Sequence, residues 1–187
     1  MAQRFPGNDL DALKRSTWIR FSGVAQGIPA EITSRMLAST GLTQYEYLVF
    51  NHLNLSEGHS MPMSRLALLL SSSISRLSHV ISRLEADGQV ARSRSPEDGR
   101  VQIVTLTDRG MATFRAAAPD YFAAVTELFF DRLDRDDLEA LDRVMSKLLA
   151  GVDVGGILAP IVDRVASSAP ADTAPRKRPA NAQTLGA

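Results

Sequence analysis

The change in apolar spacing at Gly88 constrains the fold of this 187-residue chain more than any other feature. Before this glycine, four apolar residues recur at the spacing of one helix face and predict a buried stripe: Ile74, Leu77, Ile81 and Leu84. After it, residues 89–94 and 100–106 alternate between polar and apolar types around a turn at 95–99, which predicts a two-stranded hairpin. Because two strands alone are marginally stable, we expect the hairpin to pack on the preceding helices.

The residues before this helix carry the start signals of further helices. Thr43 and Glu46 have the spacing of a capping box. The helix that they begin has an apolar face: Tyr45, Leu48, Val49 and Leu53. A short helix over residues 63–70 begins just after Pro62, and Ser73 is placed to cap the helix with the buried stripe. The order predicted is helix, turn, helix and hairpin.

Longer helices are predicted on both sides of these elements, one before them and two after them. Residues 10–26 place Leu10, Leu13, Thr17 and Phe21 at helical spacing, and Gly23, Gly27 and Pro29 then interrupt this pattern. We expect a kink or a restart near Pro29 and a stop at Gly41. Another helix is expected from its cap at Thr107 to about Phe130, with a bend at Pro119. The last predicted helix, from its cap at Asp134 to Gly151, has a stripe of four apolar residues: Leu138, Leu141, Met145 and Leu148.

These elements predict a mostly α fold with a small β hairpin, arranged as a winged helix-turn-helix flanked by helices. We expect a flexible N-terminus over residues 1–9 and a winged-helix domain over 10–151, with a DNA-binding core of about 43–106. Residues 152–165 are ambiguous. Residues 166–187 are too poor in large apolar side chains to form a core and predict a disordered tail.

Composition excludes several classes of function. The chain has no cysteine, which excludes disulfides, cysteine-ligated metal sites and thiol catalysis. No phosphate-binding glycine loop, nucleophile elbow or metalloprotease motif occurs, so we expect neither an enzyme nor a cofactor. The spacing of His52, Glu57 and His59 matches no compact metal site. No secretory signal or long apolar run is present, which predicts a cytoplasmic protein without a membrane segment.

The charge pattern favours a nucleic-acid partner in the middle of the chain. The chain as a whole is neutral, with 21 basic and 21 acidic residues, but residues 62–106 carry six arginines against four acidic residues. The face of the capped helix opposite its apolar stripe is polar and predicts contacts to double-stranded DNA by five residues: Ser73, Ser75, Arg76, His79 and Arg83. Arg76 is the first candidate for a base contact, and Arg83 is placed for a phosphate.

The hairpin carries a second group of candidate DNA contacts. Arg94 and Arg100 flank the Asp98-Gly99 turn, and arginines at the tip of a short ribbon suit a narrow minor groove. We expect Asp98 to orient one of these arginines through a charge-assisted hydrogen bond. Asp98 could equally serve only to form the turn, because Asp-Gly is a common hairpin signal.

The ordered motifs resemble those of MarR-type transcription regulators over about residues 10–150. The residues that carry the resemblance are Gly41-Leu42-Thr43, Met63-Ser64-Arg65-Leu66-Ala67, Ser73-Ile74-Ser75-Arg76-Leu77-Ser78, Arg83-Leu84-Glu85-Ala86-Asp87-Gly88, Asp98-Gly99-Arg100 and Leu106-Thr107-Asp108-Arg109-Gly110. The resemblance implies a homodimer built on its first and last helices, a repressor bound to an inverted-repeat operator, and often a small aromatic effector. The resemblance makes the helix that Ser73 caps the recognition helix, the one that contacts DNA. The sequence departs from the family pattern at Gly99, where a second arginine is common, and in the serine-rich turn before the recognition helix, which lacks the common glycine.

Other interpretations of the same residues stay open. The polar helix face could be a solvated surface, and the hairpin arginines could serve solubility. The protein could then be a non-catalytic interaction module on a winged-helix fold without DNA affinity. Five residues could line an effector pocket or could simply be core: Trp18, Phe21, Tyr45, Phe50 and Met111.

Overall fold

The structure is a computed structural model that describes residues 10–152, 156 and 160–162. The chain divides into two compact units, residues 1–145 and 146–187. The helices and strands follow in the order α1 (Ala12–Thr40), α2 (Gln44–Asn54), β1 (Ser60–Pro62), α3 (Met63–Leu69), α4 (Ile74–Ala86), β2 (Val90–Arg94), β3 (Gln102–Leu106), α5 (Asp108–Leu128) and α6 (Arg135–Val152). Short 3-10 turns occupy Glu57–His59 and Phe130–Arg132. This architecture confirms the predicted mostly α fold with its hairpin.

The hairpin belongs to a three-stranded antiparallel sheet of order β1-β3-β2. The predicted strands pair with Val90 opposite Leu106 and Arg94 opposite Gln102. On the other edge of β3, Met61 of β1 lies opposite Val104. The predicted hairpin is confirmed, and β1 adds a third strand that the sequence pattern did not predict. The third strand joins the hairpin to the residues between α2 and α3, so backbone pairing as well as side-chain packing holds the hairpin on the helices.

The core lies where α2, α3, α4 and the sheet meet. Its fully buried side chains include Phe50 and Leu53 of α2, Leu66 of α3, and Val104 of β3. Leu77, Ile81 and Leu84 of α4 are also buried, which confirms three of the four positions in the predicted stripe. Ile74 is the exception, with 57% of its surface exposed, because it lies in the first turn of α4 beyond the core.

Helix α5 is fixed to the end of the hairpin by close backbone contacts. The Thr107 hydroxyl accepts from the backbone N–H of Gly110 and lies 2.7 Å from the carbonyl oxygen of Gly88, to which it donates. Gly88 has a φ of 70°, which favours glycine. A Cβ at Gly110 would lie 2.0 Å from the carbonyl oxygen of Gln89, so only glycine fits without a shift in the backbone.

Helix α1 does not restart at Pro29. The helix is continuous through this residue from its cap at Asp11, whose carboxylate accepts from the N–H of Lys14 at 2.8 Å. Proline removes the hydrogen bond that the carbonyl of Ala25 would accept, but Ala25 and Pro29 are both exposed, and water can solvate that carbonyl. The helix ends at Thr40, and Gly41 is its C-cap as predicted.

The apolar stripe predicted on α6 is less buried than its spacing suggests. The Asp134 carboxylate caps the helix by accepting from the N–H of Asp137 at 2.8 Å, as predicted. Leu138 and Leu141 are half-buried, whereas Met145 and Leu148 are exposed. The helix also runs one residue past the predicted stop at Gly151.

Some predictions fall outside the residues that the structure describes. These are the flexible N-terminus over 1–9, the disordered tail over 166–187, and most of the ambiguous segment 152–165. Among the described residues, no helix combines the length and the apolar character needed to cross a membrane.

Candidate nucleic-acid interface

The polar face of α4 is presented to solvent by the burial of its opposite face. Ser73 caps the helix, and its hydroxyl accepts from the N–H of Arg76 at 3.2 Å. Four of the predicted contact residues are exposed along the same helix: Ser75, Arg76, His79 and Arg83. Since the buried stripe fixes the rotation of α4, these side chains are held on the outside of the domain.

Arg76 lies against an aromatic ring of the neighbouring helix α2. Its guanidinium carbon is 5.0 Å from the ring centroid of Tyr45, within the range of a cation–π interaction. The Tyr45 hydroxyl is buried and has no hydrogen-bond partner among the described residues. The contact therefore uses the face of this ring, and the hydroxyl adds no hydrogen bond to it.

Arg83 pairs with the carboxylate that closes the capping box of α2. One oxygen of Glu46 accepts from the N–H and from the hydroxyl of Thr43, each at 2.8 Å. The other oxygen of Glu46 accepts from a guanidinium nitrogen of Arg83. Glu46 is only 4% exposed, whereas the Arg83 side chain is 59% exposed. Arg83, which is predicted to contact a phosphate, is thus already paired with a carboxylate of the protein, and its side chain still faces solvent.

A second ion pair joins the hairpin to α4. The guanidinium of Arg92 in β2 donates to Glu85 at 2.8 Å and to the hydroxyl of Ser82 at 3.1 Å. The Arg92 backbone N–H also donates to Glu85, at 3.1 Å. Arg92 holds the pKa of the Glu85 carboxyl below its ordinary value. Sequence reasoning did not single out this pair, because no local spacing links a helix position to a strand seven residues later.

The tip of the hairpin differs from its predicted arrangement. The guanidinium of Arg94 donates to the carbonyl oxygen of Gly99 at 2.6 Å. The Asp98 carboxylate accepts from the backbone N–H of Arg100 at 2.9 Å. The expectation that Asp98 orients an arginine side chain was therefore wrong. Asp98 stabilises the turn, and a backbone carbonyl holds Arg94. All three side chains are exposed.

The five residues suggested for an effector pocket lie in different surroundings. Phe50 is fully buried in the core, and Met111 and Tyr45 are half-buried. Trp18 and Phe21 are exposed on α1, and their ring centroids are 5.8 Å apart. A separate aromatic cluster joins α2 to α5: Tyr47 stacks on Tyr121 at 4.1 Å and contacts Phe114 at 5.1 Å. Burial raises the pKa of Tyr47 to about 12.

Comparison with known proteins identifies relatives of this structure. The crystal structure of AbsC, a MarR family transcriptional regulator from Streptomyces coelicolor, has 31% sequence identity and a TM-score of 0.71. That match covers 81% of this chain and 99% of AbsC. The chain belongs to the MarR family. Sco3205, another MarR family transcriptional regulator from Streptomyces coelicolor, was solved in complex with DNA; it has 28% identity and a TM-score of 0.73, and the match covers 80% of this chain and 93% of Sco3205.

Comparison of the sequence alone also finds transcription regulators. The transcriptional repressor MprA of Escherichia coli strain K12 is 26% identical over 123 residues, which are 66% of this chain and 69% of MprA. The family model of the transcriptional regulator SarA/Rot matches residues 31–116, which include the capping box of α2, all of α4 and the hairpin. This MarR-family protein is therefore a transcription regulator, and its relatives are transcription regulators, not enzymes.

The three histidines of this MarR-family protein lie in separate settings. His52 is half-buried in α2, and burial lowers its pKa. His59 lies in the 3-10 turn, with its Nδ1 3.2 Å from the carbonyl oxygen of Asn54, and His79 is exposed on α4. Within the described ranges, no three acidic or histidine side chains are grouped closely enough to hold a metal ion.

Proposed function

We propose that the protein is a homodimeric, sequence-specific DNA-binding regulator that represses nearby genes. The observation that carries this proposal is the exposed polar face of α4, with Ser75, Arg76 and His79 on the outside of a helix whose other face is buried. The major groove of DNA is about 12 Å wide and admits one such helix. Arg76 is proposed to contact a guanine edge, and Ser75 and His79 are proposed to contact neighbouring bases.

The ends of α4 and the hairpin suit the sugar–phosphate backbone and the minor groove. The first turn of α4 at Ser73 presents backbone N–H groups, which favour a phosphate. Arg92 of β2 pairs with Glu85 of α4, which attaches the hairpin to the helix that is proposed to enter the major groove. Arg94 and Arg100 at the exposed tip are proposed to enter the adjacent minor groove.

A dimer is supported by the exposed apolar side chains of the N-terminal half of α1. Leu13, Ile19 and Val24 are exposed there, as are the two aromatic residues Trp18 and Phe21. Large apolar patches of this kind mark interaction sites. A two-fold dimer places two recognition helices roughly 34 to 36 Å apart, which requires an inverted-repeat operator.

The proposal that the protein represses transcription is supported by a relative and not by the geometry of α4. Repression is proposed because MprA is described as a transcriptional repressor. The aromatic effector stays a prediction. If one binds, it would act by favouring a dimer in which the two recognition helices are wrongly spaced for successive major grooves.

Binding to DNA duplexes over a range of salt concentrations tests the proposal. A duplex is first selected from a random pool by the full chain, and its affinity is compared with that of unselected duplexes. We expect a steep loss of affinity with salt, since phosphate contacts release counterions. Failure to select any duplex, or an affinity that is independent of salt, would favour the alternative of an interaction module without DNA affinity.

Arg76→Ala tests the assignment of the base contact. We expect it to cost about 1 to 3 kcal/mol on the selected duplex and little on unselected DNA. Arg115→Ala removes the same charge from an exposed position on α5 and should leave discrimination between the two duplexes unchanged. An equal loss on both duplexes for Arg76→Ala would show that Arg76 contacts only phosphate.

A further inference from the structure

Two adjacent residues of α2 contact two arginines of α4. Tyr45 and Glu46 lie in the first turn of α2, and their partners Arg76 and Arg83 are seven residues apart on α4. Seven residues are two helical turns, so both arginines lie on the same side of α4. The first turn of α2 therefore makes two separate contacts with the exposed face that is proposed to bind DNA.

The two contacts differ in chemistry but have the same effect on the arginine side chains. An arginine free in solvent loses rotamer freedom when it binds, and this loss weakens binding. The Tyr45 ring limits the positions of the Arg76 guanidinium. No hydrogen-bond acceptor among the described residues occupies that guanidinium, so its donors stay available to a base. The buried carboxylate of Glu46 fixes Arg83 through an ion pair and is itself fixed by two hydrogen bonds from Thr43.

We infer that Tyr45 and Glu46 are positioning residues for DNA recognition that do not touch DNA: Tyr45 sets sequence discrimination through Arg76, and Glu46 sets affinity through Arg83. This inference rests on the proposed function. The capping box of α2 thereby has a second role besides starting its own helix. It also holds the carboxylate that orients Arg83.

Double-mutant cycles on the selected duplex test the Tyr45 contact. Tyr45→Leu should weaken specific binding by about two- to fivefold, the range of an exposed cation–π contact. In an Arg76→Ala background the same substitution should have no further effect. Tyr45→Phe keeps the ring face and should restore binding, because the hydroxyl that it removes is buried without a partner among the described residues.

A matched substitution separates positioning from stability. Tyr121→Leu removes another half-buried tyrosine that packs on α2, through Tyr47, but it does not remove the ring beneath Arg76. We expect Tyr121→Leu to lower thermal stability without changing the ratio of affinities for selected and unselected duplexes. The fraction of active protein is determined for each variant by stoichiometric titration with duplex, so that misfolding is not counted as weaker binding.

Glu46→Gln tests the second contact in the same way. The amide keeps an oxygen that can accept from Thr43 but removes the charge that pairs with Arg83. We expect weaker binding to both duplexes, with discrimination little changed because Arg83 is assigned to a phosphate, and no additional effect when Arg83→Ala is already present.

Additive losses in both cycles, or a Tyr45→Phe variant as weak as Tyr45→Leu, would overturn this inference while leaving the proposed function intact. Failure of the unmodified chain to select any duplex would instead overturn the proposed function itself.

Discussion

The winged-helix core and the two end helices of this protein bury their apolar residues to very different extents. In the core, Leu66, Leu77 and Val104 are fully enclosed by residues of the same chain. In the N-terminal half of α1, by contrast, Trp18 is 62% exposed, and α6 has no buried residue at all. Only the C-terminal half of α1, at Ile32 and Met36, is buried.

This difference indicates which apolar surfaces are covered by contacts within one chain and which are not. The apolar side chains of the core are buried by helices and strands of the same chain. The stability of the core should therefore depend little on protein concentration. The exposed faces of α1 and α6 gain little from the contacts within one chain. They are the surfaces that the proposed dimer would cover, and their substitution should affect assembly more than folding.

The largest effect is expected from the centre of the core. Leu77→Ala should reduce the free energy of unfolding by about 2 to 5 kcal/mol, because it removes a buried side chain and leaves a cavity. Ile74→Ala, at the exposed end of the same stripe, should change it by less than about 0.5 kcal/mol. Chemical denaturation measures the free energy of unfolding of both variants. Equal losses would show that Ile74 belongs to the core as much as Leu77 does.

Glycines give the next comparison. Gly110→Ala should destabilise the protein by about 1 to 3 kcal/mol, because the added methyl group would meet the backbone of Gln89 and the side chain of Leu106. Gly23→Ala, in the exposed part of α1 with open space around it, should instead stabilise by about 0.4 to 1 kcal/mol. A destabilised Gly23→Ala variant would show that the N-terminal half of α1 is packed against something that requires glycine.

A substitution on α1 separates assembly from folding. Trp18→Ser should weaken self-association by about tenfold, which corresponds to roughly 1.4 kcal/mol, and leave the circular dichroism spectrum unchanged. Leu55→Ser replaces another exposed apolar side chain, outside the end helices, and is the control. Sedimentation over a range of protein concentrations measures the self-association of both variants. Unchanged self-association of Trp18→Ser would exclude this side chain from the dimer interface.

The smallest effect concerns the attachment of the hairpin to α4. Because Arg92 lowers the pKa of Glu85, the ion pair contributes stability above the ordinary pKa of glutamate, and this contribution is lost as the pH falls through the lowered pKa. Glu85→Gln should cost less than about 1 kcal/mol at neutral pH, since the pair is partly exposed. The difference from the unmodified chain should disappear in acid. A difference that is independent of pH would assign the effect to packing.

Local sequence signals predicted the parts of the fold that depend on local chemistry. The caps at Thr43, Ser73, Thr107 and Asp134 all formed, because each places a side-chain oxygen near the first free N–H groups of its own helix. The strands of the hairpin also formed where the period changed. These features require only residues that are close in sequence.

The remaining features depend on residues that are far apart or on the surroundings of an element. The strand Ser60–Pro62 has only three residues and becomes a strand through its pairing with β3. The ion pair between Glu46 and Arg83 joins residues 37 positions apart, which no local spacing reveals. Pro29 did not interrupt α1, because its exposed position leaves the freed carbonyl accessible to water.

In the proposed complex, two copies of α4 enter successive major grooves of one duplex. The most direct measurement compares the affinity for the selected duplex with that for the same duplex carrying about five extra base pairs between its half-sites, which rotates one half-site by half a turn. We expect this insertion to abolish specific binding and to leave only the affinity for unselected DNA. Undiminished binding to the duplex with the insertion would contradict this arrangement.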